Sequence, residues 1–118
     1  MLKKILIVED DTLVAMMLDG YLDALGYETV ATCETVASAL AQIDPARIDA
    51  AIVDVHLANG ELSGPVIDAL RAAAIAFVVT TGDRHNIGDA RFSGAPMLEK
   101  PFTLVQLEAV LASLASPR

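Results

Sequence analysis

"ILIVEDD", residues 5–11, sets four aliphatic residues directly against three acids, Glu9, Asp10 and Asp11. The apolar run lacks the alternation of a half-exposed strand, so it reads as a central strand covered on both faces. Apolar runs of strand length recur at 28–33 ("ETVATC"), 50–54 ("AAIVD"), 76–80 ("AFVVT") and 96–98 ("PML"), with helical patterns between most of them. Strands alternating with helices predict parallel βαβ units and hence an α/β, doubly wound sheet. The run at 50–54 also lacks alternation and belongs in the centre, whereas 28–33 alternates and suits an edge.

The helix behind the acids has the clearest pattern. Val14, Met17, Leu18, Tyr21, Leu22 and Leu25 recur at helical spacing; Asp11 or Thr12 can cap its start and Gly26 can end it. A second helix is carried by Val36, Ala39, Leu40 and Ile43 and stopped by Pro45, and a third runs from Pro65 through Val66, Ile67 and Leu70 to about Ala74. The last helix starts near Thr103, buries Leu107, Val110, Leu111 and Leu114, and frays into residues 116–118. Residues 82–96 carry three glycines and no helical stripe, so a helix there is short or absent.

The chain has 118 residues, 54% of them hydrophobic and 20% charged, which predicts one domain spanning 1–118 with a large core. A net charge of −8 opposes binding to nucleic acid or to an anionic membrane surface. The N-terminal apolar run is too short for a signal peptide and no stretch reaches membrane-spanning length, so the expected location is cytoplasmic. Cys33 is the single cysteine, so no internal disulfide can form.

In an open parallel sheet the ligand crevice lies beyond the carboxyl ends of the strands, where strand order reverses. There the first strand ends on Glu9, Asp10 and Asp11, the third on Asp54, the fourth on Thr80 and Thr81, and the fifth is followed by Glu99, Lys100 and Pro101. Helix capping accounts for one acid, and Asp11 suits it. It does not account for Glu9, Asp10 and Asp54 together, because two carboxylates at 4 Å repel by about 4 kcal/mol at an effective dielectric near 20. A divalent cation offsets that repulsion, and an all-oxygen donor set selects Mg²⁺ or Mn²⁺.

Lys100, opposite the acids, is placed to neutralise an oxyanion, although a lysine taken alone reads as a surface residue. The Thr81 hydroxyl, beside Gly82, either satisfies a nearby carbonyl or donates to a phosphoryl oxygen. His56 and His85 are the only histidines, and rim or surface placement suits His56 better than a catalytic imidazole.

The set "VEDD" (8–11), "IVDV" (52–55), "VTTG" (79–82) and "EKPF" (99–102), in this order after strands 1, 3, 4 and 5, resembles the receiver domain of two-component response regulators over essentially the whole chain. The resemblance implies a flavodoxin-like (βα)5 sheet of order 2-1-3-4-5. It implies Asp54 as phosphoacceptor, Asp10 as direct Mg²⁺ ligand, Glu9 as the acid holding the metal's waters and His56 as a ligand through its backbone carbonyl. Thr81 matches the switch hydroxyl, and Lys100 the phosphate-pairing lysine, whose bond to Pro101 is usually cis. The implied donor is a histidine kinase or histidine phosphotransfer protein, and the implied role is a stand-alone response regulator, without an output domain, acting on a downstream protein the sequence does not name.

The stretch from Ala76 to Phe102 more narrowly resembles the FATGUY subgroup of single-domain receivers, with Val79, Thr80 and Asp83 at the subgroup's second Phe, Ala and aromatic positions. Met97 stands where many receivers carry an aromatic residue. Met97 and the degenerate fourth helix keep open a phosphorylation-independent interaction module on the same fold. A haloacid dehalogenase type of phosphohydrolase would want a second Asp two residues after Asp54, where this chain has His56. A nucleotide- or flavin-binding site would want a glycine-rich loop after strand 1, where this chain has acids.

Overall fold

The computed structural model describes residues 2–83 and 87–115; the expected fraying of 116–118 and the position of His85 lie outside them. Five strands, β1 (Lys4–Val8), β2 (Glu28–Cys33), β3 (Ala50–Asp54), β4 (Ala76–Thr81) and β5 (Met97–Glu99), form one parallel sheet of order β2-β1-β3-β4-β5. Among the described residues four α-helices connect and close it: α1 (Thr12–Ala24), α2 (Val36–Leu40), α3 (Gly64–Ala72) and α4 (Leu104–Ala115). The order reverses between β1 and β3, so the switch point falls between Glu9 and Asp54.

Two cores explain the unbroken apolar runs. Leu6 and Val8 of β1 join Val53, Val66, Ile67 and Phe77 on one side of the sheet, while Ile5 and Ile7 join Ile52, Leu18, Leu22 and Leu107 on the other. A strand covered on both faces has no polar side to alternate with, and every residue of β3 is buried. β2, at the edge, is largely half-exposed.

Asp11 caps α1, its carboxylate accepting from the Leu13 and Val14 N–H groups at 2.9 and 3.3 Å, and Gly26 turns the chain at φ +88°. Pro65 occupies the first turn of α3. Of the stripe in the last helix, Leu107 and Leu111 are buried, while Val110 and Leu114 pack half-buried against the same core.

Three elements differ from expectation. α2 is only five residues long, and Leu40 is 42% exposed rather than part of a buried stripe. Its start is fixed by a capping box between Thr35 and Ser38, and Ala39 alone carries its buried face. β4 runs one residue further, to Thr81, and β5 lies at 97–99 rather than 96–98. Between them the described residues form a single 3₁₀ turn, Ala90–Phe92, in which Phe92 plugs the core at 1% exposure. Arg91 ties this turn to α3 through an ion pair with Asp68, pairs locally with Asp89 at the start of the turn, and its guanidinium covers Gly64 so closely that a Cβ there would collide with it.

Candidate functional site

Each site residue is delivered by a strand end. β1 continues into Glu9, whose N–H donates to the Cys33 carbonyl at 2.9 Å; β3 ends on Asp54, and Lys100 follows β5 with its N–H on the Thr81 carbonyl at 2.7 Å. Glu9 is 2% and Asp54 6% exposed. The carboxylates of Glu9, Asp10 and Asp54 offer oxygens that lie within 4.8 Å of one another.

Lys100 Nζ enters this group at 2.9 Å from Glu9 Oε1 and 3.0 Å from Asp54 Oδ2. The contact with Asp54 is an aligned hydrogen bond, whereas that with Glu9 is an ion pair whose angle leaves Glu9 Oε1 without a hydrogen-bond donor among the described residues. Glu9 Oε2 accepts from the Asp11 N–H at 3.0 Å. Neither Lys100 ion pair includes Asp10.

Burial pushes the Glu9 carboxyl pKa up, against the pull of Lys100 and of the Asp11 N–H, and the neighbouring Asp54 pushes it up further. Burial alone would lower the Lys100 ammonium, but Glu9 and Asp54 outweigh it and hold its pKa above the ordinary lysine value. Among the described residues the site thus sets three carboxylates against one cation and is short of positive charge. A hard divalent cation fits that deficit: the donors are all oxygen, they converge, and one buried carboxylate oxygen is left without an aligned donor.

Thr81 is buried beside the cluster, and its Oγ1 accepts from the Asp83 N–H at 3.1 Å. His56 has an exposed side chain, and its main chain pairs as an antiparallel bridge with Leu62. The Lys100–Pro101 peptide is cis. Met97 is half-buried against the α2/α3 core.

Two residues stand closer to Asp54 than the sequence reading stated, Thr80, set there only at the end of the fourth strand, and Ser63, not singled out at all. Thr80 stands directly opposite Asp54 in the β3–β4 register, 1% exposed, and its hydroxyl has no hydrogen-bond partner among the described residues. Ser63, fully buried, donates its hydroxyl to the Asp54 carbonyl at 2.6 Å. Thr80 was legible as a polar strand end in the same crevice but not as the register partner of Asp54, and the Ser-Gly-Pro helix start did not point to Asp54.

A parallel sheet of order 2-1-3-4-5, with an acid cluster at its switch point faced by a half-buried lysine, defines a receiver-like domain of the flavodoxin-like class. The response regulator receiver domain model matches residues 5–112, and the chain belongs to that family. The chain is similar to SdrG from Sphingomonas melonis Fr1, with 48% identity, a TM-score of 0.86 and coverage of 98% of each chain. The BeF3-activated conformation of SdrG from Pseudomonas melonis Fr1 matches at 48% identity and TM-score 0.83, again over 98% of each chain. A CheY-like receiver domain from Methylobacillus flagellatus matches at 27% identity and TM-score 0.79, over 97% of this chain and 99% of that one. No curated protein matches the chain. Among the described residues no helix is long and apolar enough to cross a membrane.

Proposed function

We propose that Asp54 accepts a phosphoryl group from a phosphohistidine on a histidine kinase or phosphotransfer protein, and that the domain works as a stand-alone switch, relay or sink in a phosphorelay. The observation that carries this reading is the placement of Asp54: a buried carboxylate at the switch point, held at 3.0 Å by Lys100 and flanked by two more acids. BeF3 is a chemical stand-in for a phosphoryl group, and the BeF3-activated form of SdrG supports extending phosphorylation to this relative.

In the proposed reaction an Asp54 carboxylate oxygen attacks phosphorus in line. The bond from phosphorus to the imidazole nitrogen breaks, and the nitrogen keeps the electron pair. The product is an acyl phosphate, and water later hydrolyses it to restore the carboxylate. Lys100 stays paired with the charge that moves from the carboxylate to the phosphoryl oxygens, so the protein supplies positioning and electrostatics. Glu9, Asp10, Asp54 and the His56 backbone carbonyl would hold Mg²⁺ or Mn²⁺, which supplies charge neutralisation at the phosphoryl oxygens. The Thr81 hydroxyl proton would donate to the new phosphoryl group, drawing the loop after β4 inward and shifting a two-state population.

The half-buried Met97 and the single turn at Ala90–Phe92 favour one second reading, a receiver fold that binds its partner irrespective of phosphorylation. A phosphotransfer profile against the histidine kinases of the host separates the two. One kinase labelling the wild type rapidly and Asp54→Asn not at all supports the first; no transfer from any kinase, with a partner that binds equally before and after chemical phosphorylation, supports the second.

A further inference from the structure

Ser63 stands at the N-cap of α3, where a serine oxygen ordinarily accepts from an N–H of the first helical turn. It makes no such bond here. Its hydroxyl is turned back to the sheet, donating to the Asp54 carbonyl at 2.6 Å with the Val55 carbonyl at 3.3 Å, and its own N–H donates to the Val55 carbonyl at 3.0 Å. The residue is 0% exposed, so water does not compete for these bonds.

The position of this bond gives it a consequence. β1 pairs with β3 only as far as Val8 opposite Val53, one residue short of Asp54. On the β4 side the Val55 N–H still reaches the Thr80 carbonyl at 3.0 Å. Asp54 is therefore the residue at which one side of the ladder runs out, and Ser63 supplies a donor there. The loop between them is closed on itself by the His56–Leu62 bridge and by the Leu57 N–H on the Glu61 carbonyl at 2.7 Å. Glu61 in turn accepts from the Val36 N–H at 2.8 Å, which ties the loop to the start of α2.

We infer that Ser63 is a positioning residue for phosphoryl transfer: its hydroxyl holds the Asp54 main chain so that the carboxylate meets phosphorus in line. This rests on Asp54 being the phosphoacceptor, as proposed above. In-line attack is sensitive to small displacements of the attacking atom, so loss of the donor should slow the chemical step rather than weaken capture of the phosphodonor.

The test uses acetyl phosphate, which removes any contribution from kinase docking, with Mg²⁺ saturating and the temperature well below the unfolding transition. Ser63→Ala is expected to lower the limiting phosphorylation rate by roughly tenfold with the half-saturating acetyl phosphate concentration little changed. Ser63→Thr, which keeps the hydroxyl, is expected to recover most of the rate. Folded Ser63→Ala reacting at the wild-type rate, or Ser63→Thr reacting as slowly as Ser63→Ala, would overturn the assignment. Where Ser63→Ala does not fold, Ser63→Cys takes its place, with a reduced rate expected and a wild-type rate contradicting. The Asp54 carbonyl ¹³C resonance reads the bond without any chemistry: an upfield change in Ser63→Ala supports it and an unchanged position contradicts it. Wild type that is never labelled, with the resonance still displaced in the variant, would place the failure in the assignment of Asp54 as phosphoacceptor.

Discussion

The Lys100 ammonium lies 3.0 Å from Asp54 Oδ2, joining the residue after β5 to the last residue of β3 across 46 positions of sequence. The same nitrogen reaches Glu9, so one cation serves two buried carboxylates. Removing it in Lys100→Ala leaves both acids uncompensated. We expect a loss of about 2–3 kcal/mol in the metal-free protein, below the full cost of breaking a buried pair because the lysine side chain is 24% exposed. Urea unfolding in EDTA measures it; a midpoint equal to wild type would show that the pairs contribute nothing.

Asp10 takes part in neither Lys100 pair and faces Glu9 and Asp54 within 4.8 Å, a repulsion of at least about 3.5 kcal/mol per pair of full charges at an effective dielectric near 20. Asp10→Ala is expected to raise metal-free stability by about 1–2 kcal/mol and to abolish phosphorylation. Mg²⁺ at ten times its Kd should stabilise the wild type by about 1.4 kcal/mol and Asp10→Ala by far less. Thermal unfolding with and without Mg²⁺ gives both numbers, and a metal-free Asp10→Ala less stable than wild type would contradict this division of labour.

Away from the site, the Asp49 carboxylate accepts from the Lys4 and Lys3 N–H groups, both at 2.9 Å, and these bonds hold its pKa below the ordinary aspartate value. A depressed folded-state pKa means stability that is complete above the unfolded value of about 3.9 and lost as pH falls through the folded one. Asp49→Ala should therefore cost about 1 kcal/mol at pH 7, discounted for solvent screening, with the gap to wild type closing below about pH 4. A gap that persisted unchanged at acid pH would assign the loss to packing instead.

Thr80 carries a buried hydroxyl with no partner among the described residues, in register with Asp54. An unsatisfied buried hydroxyl costs about 1–3 kcal/mol, and valine has nearly the same shape. Thr80→Val should raise the unfolding midpoint by several degrees. A lower midpoint would mean that the hydroxyl has a hydrogen-bond partner after all.

The central places of β1 and β3 and the start of α1 were legible because their causes are local: both strands are apolar throughout since both faces are covered, and Asp11 caps the helix it precedes, whereas the full strand order was implied by the family resemblance. The short α2 was not legible: the Thr35–Ser38 capping box fixes only its start, and the helix ends at Leu40, before the Ile43 whose spacing suggested a longer one. Nor could Ser63 be read beforehand. A serine before Gly64 and Pro65 looks like a helix cap, and only the return of the chain to β3 turns its hydroxyl into a donor to the Asp54 carbonyl.

The central claim is that Asp54 is the residue phosphorylated. Incubation with radiolabelled acetyl phosphate and Mg²⁺, followed by hydroxylamine treatment, tests it most directly. Wild type should take up label that requires Mg²⁺ and is released by hydroxylamine, as an acyl phosphate must be, and Asp54→Asn should take up none. Label of equal extent in Asp54→Asn would contradict the assignment.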